Sequence, residues 1–199
     1  MKNYLNEIGK NSKSSGIFFF YFSGHGGVFN NNPYFLLSNT SLKQPDKTAY
    51  KMKNLKPVIR RRIKSGTIIA VLDACHSGGT RAVTKEKLKI RDFGKNEHKE
   101  MLDLSEPEEG GKAAGLVRLE KKIAILTSSQ AHQWSYEEDK EQHGLFTYYL
   151  VNGFRGAAKN RIKPDDKVTL NENYIYLLTE VANRKHGKQI PTVSYSRQD

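Results

Sequence analysis

Cysteine is nearly absent from this sequence: Cys75 is the only one among 199 residues. An internal disulfide is therefore excluded, and no Cys/His spacing supplies the four ligands of a structural zinc site. Long apolar runs are missing as well. The longest fall far short of the roughly 20 residues that a helical membrane span needs. No signal-peptide pattern opens the chain, so a cytoplasmic protein with no membrane contact is expected. Acidic residues are in deficit, 21 against 33 Lys and Arg, which leaves a formal charge of +12. Such a balance raises nucleic-acid binding as a function. However, the basic residues are scattered and no nucleic-acid motif organises them. Arg60-Arg61-Arg62 and the alternation Lys85, Lys87, Lys89, Arg91 read as solvated faces or loops. Nucleic acid is not an expected partner.

What the chain does have is a pair of short apolar runs that stop abruptly. Thr67 to Leu72 is β-branched or aliphatic throughout, too short for a helix and suited to a strand buried on both faces. It breaks into Asp73, Ala74, Cys75, His76, Ser77 and two glycines. Ile17 to Phe22 repeats the design and breaks into Ser23, Gly24, His25, Gly26 and Gly27. Ligands of an open parallel sheet bind beyond the carboxyl ends of its strands. One thiol and one imidazole are thereby delivered to what reads as a single sheet edge.

The rest of the chain alternates between strands and helices. Tyr4, Leu5 and Ile8 have helical spacing before the first strand, and Tyr34 to Leu37 reads as another short strand. Leu55, Val58, Ile59 and Ile63 line one face of a helix, with Asn54 as its cap, Pro57 in its first turn and Gly66 closing it. Residues 81–118 are rich in Lys, Glu, Asp and Gly, without apolar periodicity, and read as a flexible linker. A strand resumes at Ile123–Thr127 and ends in Ser128. Leu145, Phe146, Tyr149, Leu150 and Phe154 form an amphipathic helix. Thr169 to Glu172 is a capping box opening a helix with Tyr174, Ile175, Leu177, Leu178 and Val181 inward. Ile190–Val193 closes the pattern as a last strand. The fold class is α/β with a mostly parallel sheet.

A thiol nucleophile needs a base to form the thiolate and N–H donors for the oxyanion created by its attack. Cys75 and His25 meet the first need if their strands are neighbours. Gly26, lacking a Cβ, lets backbone N–H groups come close to a substrate carbonyl. The N–H groups of Gly26 and Cys75 are the candidate oxyanion hole. A lone cysteine at a strand end is ordinarily a small core residue. The parallel placement of both residues is what raises them to a pair. His76 is a rival base, but a side chain adjacent in sequence to the nucleophile generally points elsewhere, which favours His25.

The stretches Tyr21-Phe22-Ser23-Gly24-His25-Gly26-Gly27 and Leu72-Asp73-Ala74-Cys75-His76-Ser77-Gly78-Gly79 resemble the His and Cys motifs of the caspase-like clan of cysteine peptidases. His25 precedes Cys75 by 50 residues (75 − 25), the separation typical of caspases. The cysteine motif is most similar to the metacaspase and prokaryotic caspase-homologue branch. Thr127 to Gln130, Gly144 to Tyr149 and Val168 to Glu172 resemble the small-subunit half of that family. The resemblance implies a three-layer fold, a mostly parallel central sheet with helices on both faces. It implies one catalytic domain over 1–199: a large-subunit part at 1–80, a self-cleavage region within 81–118 and a small-subunit part at 119–199. Relatives begin with a strand, a helix and a second strand before the segment that ends in His. Here the chain starts at the helix preceding that segment, so the usual amino-terminal strands are missing from the pattern.

A cysteine endopeptidase acting through Cys75 and His25 is the leading expectation. The resemblance also implies specificity. Asp73 matches an acid of the metacaspase first pocket that pairs with a substrate Arg or Lys, with Ser23 nearby, and Ser128 is a further substrate-binding candidate. The expected partner is a peptide or protein with a basic residue at the cleavage point. A caspase-fold interaction module, completed at its sheet by a partner chain or a missing segment, is the alternative. No cofactor is expected. Calcium activation is raised by the resemblance alone. Its candidate carboxylates, Glu137-Glu138-Asp139 and Asp165-Asp166, lack EF-hand spacing and read as solvated loops.

Overall fold

The computed structural model describes residues 2–30, 32–75, 122–130, 133–138 and 143–195. The 81–118 segment, His76, Ser77 and Asp139 fall outside them.

Helix α1 (Lys2–Asn11) leads into β1 (Ile17–Phe29), which turns back as β2 (Asn32–Leu36). A short α2 (Pro45–Thr48), β3 (Tyr50–Lys51), a 3-10 turn and α3 (Leu55–Arg62) carry the chain to β4 (Thr67–Cys75). Then come β5 (Lys122–Thr127), the two-residue pair β6 (Glu137–Glu138) and β7 (His143–Gly144), α4 (Leu145–Asn152), α5 (Leu170–Arg184) and β8 (Thr192–Tyr195). The main sheet has the order β3-β2-β1-β4-β5-β8. β1, β4 and β5 are parallel neighbours at its centre, while β2 pairs antiparallel with both β1 and β3, and β8 antiparallel with β5. Four strands (β1, β3, β4, β5) thus point one way and two (β2, β8) point against them, so the sheet is mostly parallel.

Side-chain alternation along the central strands makes two cores, one on each face of the sheet. Ile68, Ala70 and Leu72 of β4 and Ile123 and Ile125 of β5 pack with Leu5 of α1 and Leu55, Val58 and Ile59 of α3. The intervening residues Val71, Ala124 and Leu126 pack with Leu145, Phe146 and Leu150 of α4 and Leu177 and Val181 of α5. This is why the runs are apolar at every position: a strand covered on both faces has no solvent side. Fully burying one Leu or Val side chain is worth about 1.5–3 kcal/mol, and losing Leu126 or Leu177 would cost the second core accordingly. Helices, sheet and helices form three layers.

Three local expectations are corrected. Asn54 makes no side-chain cap bond, because it sits in the αR region as the last residue of the 3-10 turn that feeds α3. Gly66 does not close that helix. α3 ends at Arg62, and Ile63 is already extended, its buried side chain drawn into the core rather than onto another helical turn. Phe154 is 42% exposed and does not point inward. A five-residue π turn, Gly153–Ala157, follows α4 and shifts the helical phase by a residue. Ile175 is likewise exposed, and the inward face of α5 is carried by Asn173, Tyr176, Leu177 and Val181. Close approach to α4 sets that rotation: a Cβ on Gly153 would fall 2.0 Å from Asn173 Oδ1.

The capping box does form. Glu172 N–H donates to Thr169 Oγ1 at 3.2 Å, and Thr169 N–H donates to Glu172 Oε2 at 2.9 Å. Glu172 also accepts from the N–H groups of Ile162 and Lys163. These donors, Thr169 first, hold its carboxyl down at about 2.

Candidate active site

β1 and β4 run parallel in a register that pairs Ser23 with Asp73, Gly24 with Ala74 and His25 with Cys75. His25 is the last β1 residue so paired, and Cys75 ends β4. The two residues expected to share chemistry therefore stand opposite one another at adjacent strand ends. His25 shares the strand parity of Tyr21, which reaches α4. His25 and Ser23 are exposed to solvent. Gly26 lies in the short antiparallel pairing with β2, opposite Phe35.

Asp73 is the most constrained residue of this edge. It is buried, with 6% of its surface exposed. Ser135 Oγ donates to its Oδ1 at 2.8 Å, and Thr147 Oγ1, in the first turn of α4, donates to its Oδ2. Thr147 Oγ1 is also 2.7 Å from Tyr21 Oη. Behind Ser135 lies Gln189, fully buried. Its Nε2 donates to Ser128 O at 3.0 Å and to Ser135 Oγ at 3.4 Å, while its Oε1 accepts from Tyr136 N–H at 3.0 Å. Among the described residues no cation pairs with Asp73. A buried carboxylate held by neutral donors and without a countercharge is suited to receive a cationic ligand.

Ser128 sits on the same edge, its N–H donating to Leu72 O at 3.0 Å. It is 1% exposed, and its carbonyl supports Gln189. Ser135, Thr147, Gln189 and Tyr21 had no assigned role from sequence. Ser135 and Gln189 carry no motif at all, whereas Thr147 lies in a stretch already similar to the caspase small-subunit half.

Of the carboxylates raised for calcium, Glu138 and Asp166 have cationic neighbours. Glu138 is bonded by Arg184 through Nε and Nη2, the latter at 2.8 Å, and by Lys185 Nζ at 2.7 Å. The Arg184 bonds come first, then Lys185, in holding its carboxyl down at about 2. Asp166 lies 3.7 Å from Lys159 Nζ. No group of three or more potential metal ligands occurs among the described residues, nor a helix long and apolar enough to cross a membrane. An apolar cleft between α3 and the sheet, lined by Met52, Leu55, Leu72 and Ile123, lies on the face opposite Asp73.

Comparison with protein families matches the caspase domain of peptidase family C14 over residues 1–199. Among solved structures, a Geobacter sulfurreducens protein, GSU0716, superposes with a TM-score of 0.58 at 16% identity, over 99% of this chain and 73% of that one. The likeness is one of fold. No curated protein matches the chain.

Proposed function

The chain belongs to the caspase-domain family of cysteine peptidases, and from that premise we propose that it is a cysteine endopeptidase cutting after Arg or Lys. Cys75 attacks the scissile carbonyl carbon. The N–H groups of Gly26 and Cys75 receive the oxyanion. His25 protonates the leaving amine and then takes a proton from the water that hydrolyses the thioester. Asp73 receives the basic side chain of the residue before the cut, with Ser23, its exposed register partner, beside it. Ser128 contributes from beneath, through the carbonyl that holds Gln189. Self-processing would fall within 81–118, where Lys and Arg are frequent. What carries the reading is the β1–β4 register, which sets His25 against Cys75.

The test is hydrolysis of fluorogenic peptides ending in Arg, Lys or Asp, with and without calcium, against a Cys75→Ala control. Cleavage after Arg and Lys that disappears in Cys75→Ala is the expected result. No Cys75-dependent cleavage of any peptide would overturn the peptidase reading.

One observation favours a second reading, an interaction module completed by another chain. β1 pairs with β2 only from His25 to Phe29. Along Ile17–Gly24, the side of β1 away from β4 has no strand partner among the described residues. On the sheet face shared with α4, Ile17, Phe19 and Tyr21 of this same stretch are exposed at 67%, 47% and 41%. An unpaired apolar edge is a template for a further strand. Pairing by a partner would be compatible with catalysis; an inert Cys75 would leave the partner role alone.

A further inference from the structure

Two chains of hydrogen bonds converge on Asp73, and both run in one direction. Thr147 has a single hydroxyl proton, and it is given to Asp73 Oδ2. In its contact with Tyr21 it must therefore accept, so Tyr21 Oη is the donor. Ser135 likewise gives its proton to Oδ1 and accepts from Gln189 Nε2. Gln189 is in turn locked by its bonds to Ser128 O and Tyr136 N–H. Donors that themselves accept are polarised into stronger donors.

The consequence for a ligand is geometric. A carboxylate offers about four lone-pair sites, two on each oxygen. Among the described residues each oxygen accepts one hydroxyl proton, which leaves acceptor capacity on both oxygens. A guanidinium brings two parallel N–H groups that can use both at once. An ammonium donates as a compact point charge and gains nothing from a fixed carboxylate plane.

We propose that Thr147 and Ser135 are specificity-positioning residues that fix the Asp73 carboxylate so that it takes a guanidinium in preference to an ammonium. The proposal rests on Asp73 being the cation-binding acid of the proposed peptidase. It goes further in assigning the choice of Arg over Lys to two hydroxyls that act through their bonds to Asp73.

The experiment uses the full chain and the variants Thr147→Val, Thr147→Ser and Ser135→Ala, each checked for folding by circular dichroism and thermal melting. Two readouts are compared: kcat/KM for matched Arg and Lys peptides, and calorimetric binding of agmatine against cadaverine, a guanidinium and an ammonium probe. The parent should favour Arg and agmatine by about tenfold or more, the scale of one charge-assisted hydrogen bond. Thr147→Val and Ser135→Ala should reduce that ratio to about threefold or less through KM. Thr147→Ser should restore it. A folded Thr147→Val variant with the parent's ratio would overturn the proposal while leaving the peptidase reading intact. Agmatine discrimination without any Cys75-dependent hydrolysis would do the reverse. No discrimination by the parent in either readout would also overturn the proposal.

Discussion

Gly144 abuts Asp73 so closely that a Cβ on it would stand 2.7 Å from Asp73 Oδ2. Glycine here is a requirement of contact, set by the first turn of α4, from which Thr147 reaches the same oxygen. Gly144→Ala is therefore expected to push the carboxylate off its Thr147 bond or to displace the start of α4. Overpacking of this kind costs about 1–3 kcal/mol. Urea denaturation measures the loss, and agmatine affinity should fall with it. A variant as stable and as tightly binding as the parent would refute the contact argument.

Asp73→Asn should abolish cleavage after Arg and Lys while keeping the fold, because it removes the charge and keeps the shape. Asp73→Ala is expected to be as inactive and also less stable. It leaves the buried hydroxyl of Ser135 and that of Thr147 without their acceptor, a loss of about 1–3 kcal/mol. Peptides ending in Asp should not be cut by any form. Efficient hydrolysis after Asp, or an Asp73→Ala variant as active as the parent, would sink the assignment.

Self-processing predicts its own mass-spectrometric signature. On storage the parent chain should yield fragments cut after Lys or Arg between residues 81 and 118, and Cys75→Ala should stay whole. An active enzyme that remains intact would remove self-processing and leave the peptidase in place.

The capping carboxylate predicts how the fold responds to acid. Glu172 has an ordinary value of 4.5 and sits at about 2 in the folded chain. A depressed carboxyl stabilises the fold above its unfolded value, and that contribution fades as the pH drops toward the folded one. Thermal stability should therefore decline from about pH 4.5 toward pH 2. Glu138, held down by Arg184 and Lys185, adds a decline in the same direction and window. Glu172→Gln should be less stable at neutral pH and show a shallower acid slope. An unchanged slope would mean that Glu172 is no more protected in the folded chain than in the unfolded one.

Much of the scaffold was legible from local pattern. The run at Thr67 was apolar at every position because both faces of β4 are covered, whereas in the run at Ile17 only the face of Phe18, Phe20 and Phe22 packs into a core. The Thr169 capping box closed within four residues, so no distant contact could alter it. His25 and Cys75 stood out because each followed such a run into glycines. Phe154 and Ile175 misled because helical period alone does not set rotation. A π turn after Asn152 and the packing of Gly153 on Asn173 set it instead.

By itself, then, the sequence determined the central strands, the residue types at their ends and the family. All of these depend on residues near one another in the chain. The surroundings of Asp73 were decided only by tertiary structure. Its hydroxyl partners lie 62 and 74 residues away along the chain, and Gln189 stands behind one of them. No spacing rule links a buried serine, a threonine in a helix's first turn and a glutamine from near β8. They meet because β1, β4 and β5 pair in one register and α4 is packed down on that face, and the carboxylate takes the donors that packing brings to it.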